Sequence, residues 1–252
     1  MNIKKPNQGD IPKLRLLWHE AFGDSDEFLD DFFRTAFSPE RALAAYENKE
    51  LRAALYWFVC QCFDRPIAYV YAVATAKASR GKGICHKLMA ETHNILKDKG
   101  FGGVILVPAG KSLMDFYETM GYKLCTYVSW FECEALDMGI NLRKLDKYEY
   151  ETQRRKYLPY GGVIQENENA DFLETQLCLY GGADFIMTAY IKDNVLYCSE
   201  ILGNIKNAKG IVYALGCHRG EFRTAGDDIP FSMYISLDET TQSPQYFGHA
   251  FE

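Results

Sequence analysis

Between residues 41 and 99 the chain spells RALAAYE, LRAALYWFVCQCF and RPIAYVYAVAT, then turns through Arg80-Gly81-Lys82-Gly83-Ile84-Cys85 into a segment with Ile84, Leu88, Met89, Ile95 and Leu96 at helical spacing. The three aromatic and β-branched runs, parted by polar turn residues, read as antiparallel strands. Residues 83–99 read as a helix that ends at Gly100 in a Lys-rich last turn, where the dipole favours cations. What joins strand to helix narrows the field further. Two glycines let the backbone turn tightly and approach a ligand with no Cβ in the way. The free N–H groups and the positive dipole end at the start of the helix make an anion site, to which Arg80 or Lys82 adds charge. A pyrophosphate is the obvious occupant. A plain strand-to-helix turn with exposed cations is the alternative, and the hexapeptide by itself leaves both open.

The flanking segments set the architecture. Residues 10–22 carry apolar side chains at 11, 14, 17, 18 and 21, the spacing of an amphipathic helix with Asp10 as N-cap and Pro12 in its first turn. Residues 25–37 form a second helix, with Phe28, Leu29, Phe32, Phe33 and Phe37 on its apolar side and acidic residues in its first turn. After the helix at 83–99 come the strand GGVILVPA, a short helix over 111–120 closed by Gly121, and the strand segment YKLCTYVSWFECEA. Runs of antiparallel strands with interspersed helices predict an α+β fold, a mixed and mostly antiparallel sheet flanked by helices.

Beyond Leu136 a polar stretch leads into a helix, and a second strand-rich half begins near Gly181. There ADFIMTAYIKDNVLYCSEIL reads as a hairpin turning at Asp193-Asn194. NIKNAKGIVYALG follows as a helix, and EFRTAGDDIPFSMYISLD and QYFGHAFE as late strands. This order faintly echoes the first half, so a degenerate internal repeat is expected, with domains at 1–135 and 136–252.

Charge and cysteine usage exclude several functions. Lys plus Arg total 28 against 34 Asp plus Glu, a net charge of -6, with no basic run to track a phosphate backbone; no nucleic-acid partner is expected. The N-terminal segment has no apolar core of a signal peptide and no stretch is long and uncharged enough to span a bilayer, so the expectation is a cytoplasmic protein without a membrane partner. Eight cysteines form no C-x-x-C pair, which predicts reduced, mostly buried thiols and no metal site.

Ala68-Tyr69-Val70-Tyr71-Ala72-Val73-Ala74-Thr75, with Arg80 five residues on, resembles the fourth strand and pyrophosphate loop of the GNAT-family N-acetyltransferases. Ser112-Leu113-Met114-Asp115-Phe116-Tyr117-Glu118-Thr119-Met120-Gly121-Tyr122 resembles the family's tyrosine-bearing helix, 37 residues from Arg80 to Tyr117. The resemblance covers residues 1–135. It implies acetyl-CoA as cosubstrate and direct transfer, in a ternary complex, to a small-molecule or peptide amine acceptor. Val73, Ala74 and Thr75 would offer backbone groups to the pantetheine arm. Arg80, Gly81, Lys82, Gly83, Ile84 and Cys85 would wrap the pyrophosphate, and Tyr117 would protonate the departing thiolate as general acid.

Three departures from the family pattern matter. Cys85 stands where a small Gly or Ala is common; a helix N-terminus and nearby cations would lower its thiol pKa. Gly110 stands where many members carry an Asn. The strand 67–75 has no acidic residue to act as base. The V-P-A-G segment at 107–110 resembles the tandem type, in which a second, degenerate acetyltransferase half follows the first. In tandem relatives of the enhanced-intracellular-survival type the chain's terminal carboxylate can take the amine proton, which puts forward Glu252; a solvated tail is the other reading of Tyr246-Phe247-Gly248-His249-Ala250-Phe251-Glu252. His249 and Asp115 are further candidates for the base. An acyl-CoA-binding protein without transferase activity is the functional alternative. The sequence leaves open whether the second half packs within one chain or across a homodimer.

Overall fold

The computed structural model describes residues 1–238 and 240–251. The chain divides into two compact units, Met1–Lys123 with Met233–Ser243, and Leu124–Ser232 with the segment from Pro244 onward. The first unit holds β1 (Asn2–Lys4), α1 (Ile11–Ala21), α2 (Asp26–Thr35), β2 (Ala42–Glu47), β3 (Glu50–Cys62), β4 (Arg65–Thr75), α3 (Ile84–Asp98), β5 (Gly103–Leu106) and α4 (Lys111–Glu118). β6 (Lys123–Glu134) leads into the second, which holds β7 (Arg143–Lys144), α5 (Lys147–Tyr157), α6 (Glu168–Gln176), β8 (Cys178–Gly181), β9 (Phe185–Lys192), β10 (Val195–Gly203), α7 (Ala208–Ala214) and β11 (Arg219–Ala225). β12 (Ile229–Ser236) returns the chain to the first unit.

In the first unit β1, β2, β3 and β4 pair antiparallel in that order, β5 joins parallel to β4, and the end of β12 pairs antiparallel with β5. This is the mixed, mostly antiparallel sheet of the expected α+β class. Two-residue turns connect β2 to β3 and β3 to β4, with positive φ at Asn48, Lys49, Phe63 and Asp64, the signature of turns that match strand twist. β3 is buried on both faces because helices cover both. Tyr56 meets Trp18 of α1 and Phe32 of α2 at ring distances of 5.3 and 5.1 Å. On the opposite face Leu55 and Trp57 join Leu88, Met89 and Leu96 of α3 in one core.

Gly103 shows how tightly the β5 and β12 strands fit. A Cβ built there would lie 2.0 Å from the Tyr234 hydroxyl and 2.2 Å from its ring carbon. Gly103→Ala is expected to destabilise the protein by about 1–3 kcal/mol through overpacking, read as a lower urea midpoint at unchanged slope.

The second unit repeats the grammar of the first. β9 and β10 form an antiparallel hairpin turning at Asp193 (φ 50°) and Asn194 (φ 61°); α7 follows, and β11 lies parallel to β10. β8 pairs with β9, and β6 with β11, both antiparallel. The core gathers Phe185, Met187, Leu196, Ile201, Ile211, Val212 and Phe222. The sequence QYFGHAFE is not a strand as expected. Apart from a single bridge between Gly162 and Tyr246, residues 244–251 form no ladder. Two backbone bonds make that bridge, Val163 N–H to the Tyr246 carbonyl and Gln245 N–H to the Gly161 carbonyl; farther along, side chains hold the segment: Arg223 Nη2 donates to the Gly248 carbonyl, and the Gln165 amide bonds both the N–H and the C=O of His249. The helix α6 and the short strands β7 and β8 were not evident from the sequence pattern.

Candidate active site

The loop between β4 and α3 is built by backbone conformation. The Ala76 N–H donates to the Arg52 carbonyl at 2.9 Å, and a 3-10 turn over Lys77–Ser79 carries the chain to Arg80. Gly81 (φ +75°) and Gly83 (φ +70°) then adopt left-handed conformations, with nothing within 4 Å of a Cβ at either position. The glycines answer to φ rather than to crowding. Gly83 is the N-cap of α3 and brings no side chain to the helix's first N–H groups. Arg80 Nε donates to the Thr75 carbonyl at 3.1 Å and Lys82 Nζ to the Ala78 carbonyl at 2.9 Å, so both cations lie along the loop. The Lys77 N–H donates to Glu20 at 3.0 Å, fastening the loop to α1.

Next to this loop, β4 parts from its parallel neighbour. The β4–β5 register runs Ile67–Gly103, Ala68–Val104 and Tyr69–Ile105 and stops there, while β4 continues to Thr75. The same stretch is bulged. β3 residues Ala54 and Tyr56 pair with Ala74 and Tyr71, so Ala72 and Val73 oppose Leu55 alone, and Ala72 has a left-handed φ of 47°. A bulge disrupts the ladder and bends the strand. Backbone polar groups of residues 70–75 on the β5 side therefore face a gap between strands. No glycine or proline marks this bulge, and the sequence reading missed it.

Tyr117 and Cys85 are brought to the same place. Tyr117 of α4, 7% exposed, belongs to the core cluster against which Val73 of β4 and Cys85 of α3 pack. Burial, with a smaller contribution from Cys85, raises the Tyr117 phenol above its ordinary pKa, so it stays protonated. Cys85 itself corrects an expectation: burial pushes its thiol up to about 11, the reverse of the depression foreseen from the helix terminus and nearby cations. A neutral thiol is a poor nucleophile. Asp115 forms an exposed ion pair with Lys111 at 3.1 Å, and His249 is locked in a buried cluster of the second unit. Glu252 lies outside the described residues.

Among the described residues no group of three or more His, Cys, Asp or Glu is placed to hold a metal ion, and no helix is long and apolar enough to cross a membrane. A loop with an open helix N-terminus, a strand parting from its parallel neighbour and a buried tyrosine suit a phosphate-bearing thioester. Residues 2–125 match the family model of the acetyltransferase (GNAT) domain. This half of the chain is a GNAT acetyltransferase domain. The protein is accordingly an acetyltransferase, and acyl transfer from coenzyme A is the chemistry of its family. No curated protein matches the chain.

Solved structures share the fold at low sequence identity. A GCN5-related N-acetyltransferase from Anabaena variabilis superimposes with a TM-score of 0.77 at 14% identity, over 94% of this chain and 73% of that one. A probable N-acyltransferase from Enterococcus faecalis gives 0.74 at 15% identity, over 94% and 72%. Eis1 from Mycobacterium abscessus gives 0.72 at 10% identity, over 94% and 74%.

Proposed function

We propose that this GNAT domain moves an acetyl group from acetyl-CoA directly to a primary amine within a ternary complex. The observation that carries this reading is the gap where β4 parts from β5, with the open N-terminus of α3 at one end and Tyr117 packed beside it. In this reading Val73, Ala74 and Thr75 bond the pantetheine arm. Arg80, Gly81, Lys82, Gly83, Ile84 and Cys85 surround the pyrophosphate, with N–H donors from the helix start and charge from Arg80 and Lys82. The amine attacks the thioester carbonyl, a C–N bond forms, the C–S bond breaks, and a backbone N–H of the bulged strand polarises the carbonyl.

Tyr117 attends the leaving group. A thiol has an ordinary pKa near 8.5, below that of a phenol, and burial raises Tyr117 further. Full proton transfer to a free thiolate is therefore uphill, and Tyr117 acts chiefly by hydrogen-bonding the sulfur as charge develops. The amine gives up its proton to a general base or to water as the C–N bond forms. The acceptor is a small-molecule or peptide amine, and the net charge of -6 suits a cationic one.

The second unit is read as a degenerate acetyltransferase-like half without a cofactor site. Its hairpin, helix and parallel strand support that ancestry. Its β10–β11 pairing, however, runs on past the β10 bulge to Ile201–Thr224, where β4 and β5 have already separated.

The test is thiol release from acetyl-CoA across a panel of primary amines. Tyr117→Phe is expected to lower kcat about a hundredfold while leaving KM for acetyl-CoA within about twofold. Full activity in that variant would remove the role of Tyr117, and no amine-dependent release by the native protein would sink direct transfer to amines.

A further inference from the structure

Tyr117 rides on a helix of barely two turns, so something outside that helix must hold its ring. Met114, Phe116 and Met120 pack against the same core cluster, and the Phe116 ring meets that of Tyr117 at 5.4 Å, but the restraint from beyond the helix is Tyr122, just past the helix-closing Gly121. The Tyr122 N–H donates to the Tyr117 carbonyl at 3.2 Å, and the two rings meet edge to face at 5.7 Å. Tyr122 is 1% exposed, and its hydroxyl is held in turn by His93 Nε2 at 2.7 Å. His93 lies on α3, whose first turn is the candidate phosphate site.

We propose that His93 and Tyr122 are positioning residues for Tyr117, forming a brace that ties the tyrosine helix to the helix of the pyrophosphate loop. This rests on the role given to Tyr117 above. The hydrogen bond fixes where the Tyr122 ring stands, and that ring forms one wall of the Tyr117 site. Because the brace spans α3 and α4, it registers the phenol against the helix that anchors the cosubstrate. Burial pushes the His93 imidazole down to about 4, so the ring is neutral at physiological pH and the link stays uncharged. Tyr117 and Cys85 are the titratable groups that weigh on Tyr122, and both are neutral there as well.

The experiment is a double-mutant cycle on the full chain. It reads thiol release from acetyl-CoA with the amine panel and, where water is the acceptor, slow hydrolysis, which expels the same thiolate. Tyr122→Phe keeps the ring and removes only the hydroxyl. It is expected to lower kcat about tenfold with KM for acetyl-CoA within about twofold, and to add nothing in a Tyr117→Phe background. His93→Ala should match it, and His93→Gln should restore most of the rate by supplying a new hydrogen-bond partner. A merely structural contribution would lower kcat by the same factor in both backgrounds, and that outcome overturns the brace. A slow Tyr117→Phe beside a full-speed Tyr122→Phe overturns the brace alone. A full-speed Tyr117→Phe removes the underlying role of Tyr117 and the brace with it.

Discussion

Replacing Glu200 by alanine is expected to destabilise the second unit by about 3–5 kcal/mol, the cost of leaving a buried partner charge uncompensated. Glu200 is 1% exposed and Arg154 3% exposed, and the two are bonded in a fork, Nε to Oε2 at 2.7 Å and Nη2 to Oε1 at 2.8 Å. Tyr246 donates to Oε1 at 2.8 Å and Tyr150 to Oε2 at 3.2 Å, which fills the lone pairs of the carboxylate. His249 Nε2 stands 3.1 Å from Oε2, and this contact favours the tautomer with its hydrogen there. The cluster joins α5 and β10 to residues 244–251, so its loss frees the C-terminal segment along with the charge. Thermal and urea unfolding of Glu200→Ala would check this. A loss below about 1 kcal/mol would mean that the cluster is solvated in solution rather than sealed.

The same cluster gives the stability a pH dependence of definite sign. The Arg154 guanidinium and the neighbouring hydrogen bonds hold the Glu200 carboxyl well below the ordinary range, outweighing burial, so its contribution is present above the unfolded pKa and fades as pH falls through the folded one. Burial lowers the His249 imidazole, which Glu200 offsets in part. The unfolded chain therefore takes up a proton from about pH 6.5 downward that the folded chain resists. Both groups act in the same direction. Native protein should lose stability on acidification below about pH 6.5; in Glu200→Ala the slope should flatten only below about pH 4.5, where the carboxyl itself would have titrated, because His249 keeps its lowered pKa.

The first unit was largely legible because its signals are local. Asp10, Ser25 and Gly83 stand at the N-cap positions of helices where the spacing of apolar residues begins, Ser25 alone of the three accepting a cap hydrogen bond through its side chain, and the strand runs carry their own turn residues at Asn48 and Asp64. The glycine loop and Tyr117 were legible for the same reason, being short motifs in a fixed order. What escaped notice depends on pairing between distant segments. The bulge at Ala72 exists only relative to β3, and the gap beside it only because β5 ends at Leu106. The tail read as a strand because Tyr246, Phe247 and Phe251 are apolar, yet Tyr246 bonds Glu200 while Phe247 and Phe251 pack on the rings of Phe231 and Phe172, and none of this needs a ladder. One sign lay in the sequence: Glu200 interrupts the apolar run VLYCSEIL, and a carboxylate inside a buried strand requires a partner. The opposite shift of Cys85 has a similar origin, since its distance from solvent is set by packing against Tyr117 and not by the helix end it sits on.

Gly83→Asp is expected to reduce acetyl-CoA affinity by at least a hundredfold, about 2.7 kcal/mol, while leaving the fold nearly intact. The space around Gly83 is open, so an added Cβ meets nothing, and the left-handed φ of +70° is one that Asp tolerates better than most side chains. The new carboxylate would lie at the start of α3, where N–H groups attract an anion, and would occupy the place of the pyrophosphate while repelling it. Gly83→Ala meets the same φ without the charge and separates backbone strain from electrostatics; its affinity should fall far less than that of the Asp variant. Calorimetric titration with acetyl-CoA, alongside thermal unfolding, reads both quantities. Equal losses in the two variants would trace the effect to loop geometry rather than to an anion site. Unchanged binding in Gly83→Asp would move the pyrophosphate off this helix altogether, leaving the gap between β4 and β5 without the anchor that makes it an acetyl-CoA site.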